Sequence, residues 1–203
     1  MEFIAHRVNT IEELKKVPED FGVELDVRDS GNDLIIVHNP FETGENFEEY
    51  LKHYKHGTMI VNVKSERIEH RIIELLEKYS INNYFFLDSS IPMIYLLSNM
   101  GNMNSAVRFS EIEPIELALA MKGRAKWVWV DCFTKLPINK ENYKILKDNG
   151  FKLCLVSPEL QGQDEKIEKY KEYLEKNNII FDAICSKIYN YNRWINHLTD
   201  RRL

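Results

Sequence analysis

The chain has 203 residues, 44% of them hydrophobic and 29% charged, the balance of a globular domain rather than a disordered, collagen-like or coiled-coil chain. Acidic residues outnumber basic ones, 32 against 27, for a net charge of -5, which argues against nucleic-acid binding, a function that needs a basic footprint. No basic-then-apolar leader opens the sequence and no run approaches the roughly 20 apolar residues that span a bilayer, so a cytoplasmic protein without stable membrane association is expected.

In chain order, short β-rich runs alternate with amphipathic helical patterns. The predicted strands are Phe3–His6, Val23–Val27, Met59–Val63, Tyr84–Leu87, Ala106–Phe109, Trp127–Val130, Lys152–Val156 and Phe181–Cys185. Between them lie helical stretches such as IEELKKV, FEEYLKHYK, ERIEHRIIELLEKY, IPMIYLLSN, EPIELALAMK, NKENYKILKDN and DEKIEKYKEYLEKN, with IYNYNRWINHL at the end. Eight β-α units imply parallel pairing with right-handed crossovers and a compact (β/α)8 TIM barrel, a single domain over residues 1–203. LIIVH, residues 34–38, follows the second strand after an SGND turn and reads as a β-hairpin extension. Cys132, Cys154 and Cys185 are odd in number, widely spaced and set in or beside apolar runs, which predicts buried thiols and neither disulfides nor a Cys-type zinc site.

Catalytic groups of such a barrel come from the C-terminal ends of its strands, and polar residues gather there. Glu24 and Asp26 are two apart, so a pleated strand points both carboxylates to one side. Two acids crowded together raise each other's pKa unless a cation holds them ionised, and an all-oxygen site suits a hard divalent ion; a solvated face or ion pairs with Arg7 or Arg28 are the alternatives. His6 and His38 end the first strand and the hairpin, where imidazoles are suited to accept and donate protons. His53, His56, His70 and His197 fall on helices or surface segments and read as structural or exposed. Arg7, Lys64 and Arg108 supply positive charge for an anionic substrate, or pair with nearby acids. Trp127, Trp129 and Asp131 share a strand face and form either an aromatic wall or core packing. The loop Ser157–Gly162, with Glu159, suits either substrate contact or helix capping.

His6-Arg7, then Glu24-Leu25-Asp26-Val27, then an apolar strand ending in His38, resembles the motif series of the glycerophosphodiester phosphodiesterases, whose wider superfamily includes the phosphatidylinositol-specific phospholipases C. The resemblance implies a (β/α)8 barrel that cleaves phosphodiesters. In it His6 and His38 take the acid/base positions, Arg7 contacts phosphate, and Glu24 and Asp26 are metal ligands. The cation is expected to be Mg2+, with Ca2+ or Mn2+ as alternatives. Where the family has Glu-x-Lys, this chain has Asn62-Val63-Lys64: the phosphate-binding lysine stays, a neutral amide replaces the third carboxylate, and the metal site is expected to be completed by the Asn62 oxygen, by Glu66 or by the substrate phosphate. Asn39 stands for the usual Asp after His38, and Val8 for the usual Gly after His-Arg. Only 24 residues separate His38 from Asn62, so the family's inserted subdomain is absent.

The resulting expectation is a metal-dependent phosphodiesterase acting on a soluble small-molecule phosphodiester: glycerophosphodiester-like, nucleotide-linked or derived from surface polysaccharide. Arg108, Trp129, Asp131 and Glu159 are the candidate substrate contacts from later strands. Two other readings are carried with it. One is a non-catalytic phosphoryl-binding barrel; the other is an isomerase or aldolase using Lys64 or Lys187 as a Schiff-base amine.

Overall fold

The computed structural model describes residues 1–195. Its strands are β1 (Glu2–Ala5), β2 (Gly22–Ser30), β3 (Asp33–Ile36), β4 (Glu45–Asn46), β5 (Met59–Val63), β6 (Tyr84–Leu87), β7 (Ala106–Phe109), β8 (Trp127–Val130), β9 (Lys152–Val156) and β10 (Ala183–Ser186). Its helices are α1 (Ile11–Leu14), α2 (Phe47–Leu51), α3 (Glu69–Lys78), α4 (Ile91–Asn99), α5 (Ile115–Ala120), α6 (Lys140–Asp148), α7 (Ile167–Lys176) and α8 (Tyr191–Ile195). The residues cluster into two compact units. One comprises Ile4–Ala106 with Gly123–Lys126; the other comprises Met1–Phe3, Val107–Lys122 and the described residues from Trp127 onward.

In the first unit β2 is the organising strand. It pairs in parallel with the end of β1 (Ile4↔Gly22) and with the whole of β5, from Val23↔Met59 to Val27↔Val63. β5 in turn pairs in parallel with β6. Every residue of β5 is buried, as expected of a parallel strand covered on both faces. β2 outlasts the predicted Val27. Its polar tail, Arg28 to Ser30, pairs antiparallel with β3, Ser30 facing Asp33 across the Gly31-Asn32 turn, where Gly31 takes the left-handed conformation that such a tight turn favours. β4, a two-residue strand absent from the sequence reading, pairs with β3.

In the second unit β8, β9 and β10 pair in parallel in sequence order, and the amide of Glu2 donates to the Asp182 carbonyl beside β10. β10 begins two residues later than predicted and runs to Ser186, because Phe181 and Asp182 form its approach, with Asp182 carboxylate accepting from the Leu153 amide and Lys147. The three cysteines are buried free thiols.

Capping explains the helix starts. Thr10 and Asn139 form reciprocal capping boxes on α1 and α6, and Ser90 caps α4 with Pro92 in its first turn. α1 is a single turn rather than the longer helix read from IEELKKV. The last predicted helix starts as a 3-10 turn, Ile188–Asn190, before α8; His197 lies outside the described residues. Among the described residues no helix is long and apolar enough to cross a membrane.

Candidate active site

The first unit gathers His6, Arg7, Glu24, Asp26, His38, Asn62 and Lys64. Glu24 and Asp26 are 1% and 0% exposed, a costly placement for two carboxylates unless each is paired. The pairing comes largely from the chain just past β1. Arg7 adopts a left-handed backbone, φ 55, a conformation uncommon for a residue with a Cβ and concentrated at functional sites. That turn lets the Arg7 amide donate to Glu24 Oε2 at 2.7 Å and the Val8 amide donate to the Glu24 carbonyl at 2.9 Å. His6 Nε2 lies 3.7 Å from the same Glu24 oxygen.

Asp26 is held differently. Asn9 clasps it reciprocally, Nδ2 donating to Asp26 Oδ2 at 2.9 Å while Asn9 Oδ1 accepts the Asp26 amide at 3.0 Å. Arg7 Nε stands 3.6 Å from Oδ2, and Lys64 Nζ stands 3.4 Å from Oδ1 and 3.8 Å from Asp88 Oδ2. Asp88, a polar residue read at the end of β6, belongs to the cluster, and so does Asn9, which was not singled out from sequence. An Asx-type residue four positions past β1 carries no distinctive spacing, and its link to Asp26 exists only once β1 and β2 pair.

Asn62 sits directly opposite Asp26 in the β2–β5 register. Its Nδ2 donates to Glu24 Oε1 at 2.9 Å, so the neutral amide supplies Glu24 with a hydrogen bond that favours its ionised form. Burial and the neighbouring Asp26 charge still dominate, and they push the Glu24 carboxyl up to about 7. Two cross-strand partners each keep a buried oxygen with no hydrogen-bond donor among the described residues, Asp26 Oδ1 and Asn62 Oδ1. Together with Glu24 they make an all-oxygen donor set of two carboxylates and one amide, which fits a hard divalent cation. Among the described residues no group of three or more His, Cys, Asp or Glu side chains is arranged for a metal; the third donor is an amide.

His38 follows β3, its carbonyl accepting from Arg28 Nη2 at 3.0 Å. Arg28 therefore braces the hairpin instead of pairing with Glu24 or Asp26. A cleft of about 560 Å³ is lined by Arg7, Asn9, His38, Asn39, Glu42 and Glu45 among others, so a cation and an imidazole of the cluster look into one space.

The second unit carries the later strand-end residues. Asp131, 2% exposed, accepts from Arg108 Nη1 at 2.9 Å on Oδ2, and from the Cys132 amide at 2.8 Å and Gln161 Nε2 at 2.9 Å on Oδ1. Glu159 accepts from the hydroxyls of Ser157 and Ser186 and from the Lys187 amide at 3.1 Å, which ties a 3-10 turn, Pro158–Gln161, to the end of β10. Its carboxylate shapes that loop. Trp127 and Trp129 are buried, at 7% and 4%; Lys152 Nζ lies 5.2 Å over the Trp127 ring, and the Trp129 indole N–H has no acceptor among the described residues. Of the remaining histidines, His56 is structural, its Nε2 3.0 Å from the Val17 carbonyl.

The sequence matches no family model and no curated protein. The structure matches the crystal structure of a glycerophosphodiester phosphodiesterase from Agrobacterium tumefaciens str. C58 with a TM-score of 0.67, over 92% of this chain and 97% of that chain, at 14% identity. The two chains share an α/β fold at this low identity, in line with the α/β class expected from the sequence.

Proposed function

We propose that the chain is a phosphodiesterase of the glycerophosphodiester phosphodiesterase kind, built on a closed (β/α)8 barrel and dependent on a divalent cation. One observation carries the reading: Glu24 and Asp26 are buried two residues apart on β2, within its parallel run, with Arg7 and Lys64 within 3.6 and 3.4 Å of Asp26. Structural carboxylates are seldom placed in such a pair; a site for a cation and an anionic substrate needs one.

Glu24, Asp26 and the Asn62 amide oxygen would hold the cation, Mg2+ by preference with Ca2+ or Mn2+ as alternatives. When bound, it supplies Lewis-acid polarisation of a phosphoryl oxygen. Arg7, with a half-exposed side chain, and Lys64 bind the remaining phosphoryl oxygens and neutralise the charge that develops on them. The two histidines move the protons. One takes the proton of the attacking hydroxyl as its oxygen bonds to phosphorus; the other gives a proton to the leaving oxygen as the second P–O bond breaks. A substrate with a hydroxyl beside the phosphate would yield a cyclic phosphate, and any other would be opened by water. In the second unit, Arg108, whose Nη1 donates to Asp131 at 2.9 Å, is a further candidate cation for an anionic group.

Soluble phosphodiesters are favoured as substrates, since the cleft beside His38 is lined mainly by polar side chains. Phosphorus NMR of a panel of glycerophosphodiesters, nucleotide-linked diesters and polysaccharide-derived diesters, with Mg2+, Ca2+ or Mn2+, tests the reading. Cleavage that stops with chelator and with His38→Ala is the expected outcome. Equilibrium phosphate binding without turnover of any panel member would favour a phosphoryl-binding protein, and borohydride trapping of a carbonyl substrate on Lys64 or Lys187 would favour the Schiff-base chemistry.

A further inference from the structure

Asn39 Oδ1 lies 3.0 Å from His38 Nδ1, and Asn39 Nδ2 donates to Glu42 Oε1 at 2.9 Å. An ionised carboxylate only accepts hydrogen bonds, so Glu42 fixes which end of the Asn39 amide faces which partner. The amino group turns to Glu42, and the carbonyl oxygen turns to the imidazole. A carbonyl oxygen is likewise only an acceptor, so the ring nitrogen facing it must carry hydrogen. The tautomer of a histidine is set by the hydrogen bond its second nitrogen makes, and here the other nitrogen, Nε2, is left with its lone pair.

The segment carrying this arrangement is held to β3. Gly44 approaches it so closely that a Cβ there would stand 2.3 Å from the Ile36 carbonyl oxygen. Arg28 secures the His38 carbonyl from β2. His38, Asn39 and Glu42 all line the cleft that also contains Arg7.

We infer that Asn39, oriented by Glu42, is a positioning residue that keeps the His38 proton on Nδ1 and presents a bare Nε2 to the cleft as the proton acceptor of the reaction. The catalytic half of this inference rests on the proposed phosphodiesterase reading; the tautomer itself does not. In the chemical step the attacking hydroxyl gives its proton to Nε2 as its oxygen bonds to phosphorus, and the resulting imidazolium keeps its Nδ1–H on Asn39. Asn39 thus serves the neutral and the charged ring with the same hydrogen bond. Glu42 stays one residue removed, so the ring gains orientation without a carboxylate in contact.

Long-range proton–nitrogen correlation spectra of the full chain carrying nitrogen-labelled histidine read the tautomer directly, with His38→Gln identifying the signal. Above the imidazole titration, the expected pattern is a protonated Nδ1 and an unprotonated Nε2. Asn39→Ala should return the ring to a mixture richer in the Nε2–H form and lower kcat about tenfold, with KM little changed. Asn39→Asp, whose carboxylate also accepts, should restore the Nδ1–H form. Glu42→Ala should weaken the preference by freeing the amide to turn over, and Glu42→Gln should restore it. A wild-type Nε2–H tautomer, or an Asn39→Ala spectrum identical to wild type, would overturn the inference. The predicted spectra in a protein that cleaves no phosphodiester would uphold the positioning and count against the proposed reaction instead.

Discussion

Asp26 and Asp131 invite comparison, one in each unit. Both are buried carboxylates near the end of a strand's parallel run, and both stand close to an arginine. Asp131 is saturated, with Oδ2 taking Arg108 and Oδ1 taking a backbone amide and Gln161. Asp26 is not: Oδ2 takes Asn9, while Oδ1 has only the Lys64 ammonium at 3.4 Å, and the Glu24 carboxylate adds a second negative charge nearby. Since an unsatisfied buried oxygen is costly, this is the difference expected between a carboxylate that serves the scaffold and one kept open toward a ligand, as the proposed function requires of Asp26.

Glu24→Gln would break this comparison most visibly. Removing one charge of the open pair should lower cation-stimulated turnover at least ~100-fold, while thermal unfolding stays unchanged or moves up as the repulsion with Asp26 disappears. Turnover within a few-fold of wild type, measured by phosphorus NMR, would remove the pair from the site. Asp131→Ala should behave in the opposite way. It strands a guanidinium, a backbone amide and the Gln161 amide, at a cost of about 3 kcal/mol in urea unfolding. Stability close to wild type would show that Asp131 is not the scaffold carboxylate it resembles.

How far this contrast was legible in the sequence depended on the range of the interaction. The shared direction of Glu24 and Asp26 follows from the pleat alone, and β5, β6, β7, β8 and β9 were located because each is a short, mostly apolar β-rich run followed by polar residues. The clasp of Asn9 on Asp26 spans 17 residues and depends on the left-handed turn at Arg7, which nothing local in the sequence announces. The loop carrying Glu159 stayed undecided between substrate contact and helix capping because the donors that engage its carboxylate include Ser186 and Lys187, 27 and 28 residues away. The polar tail of β2 was missed because a strand reading favours apolar alternation, whereas Arg28 to Ser30 are held by antiparallel pairing with β3.

The smallest expected effect comes from pH. Glu24 titrates at about 7 in the folded chain against an ordinary value of 4.5, because burial and Asp26 oppose its ionisation. Between those two values the folded chain holds a proton that the unfolded chain has released, so unfolding becomes easier as pH rises. This contribution to stability is fully present below 4.5, declines through the interval and is gone above about 7. Urea unfolding in chelator should therefore show wild type losing more stability than Glu24→Gln from about pH 5 to about pH 8. Parallel profiles for the two proteins would mean that Glu24 ionises in the fold as it does in water, and that the open pair carries no strain for a cation to relieve. A steeper wild-type decline that is reversed by saturating Mg2+ would tie the strain at Glu24 to the cation site, because a cation bound to the ionised carboxylates stabilises the folded chain increasingly as pH rises.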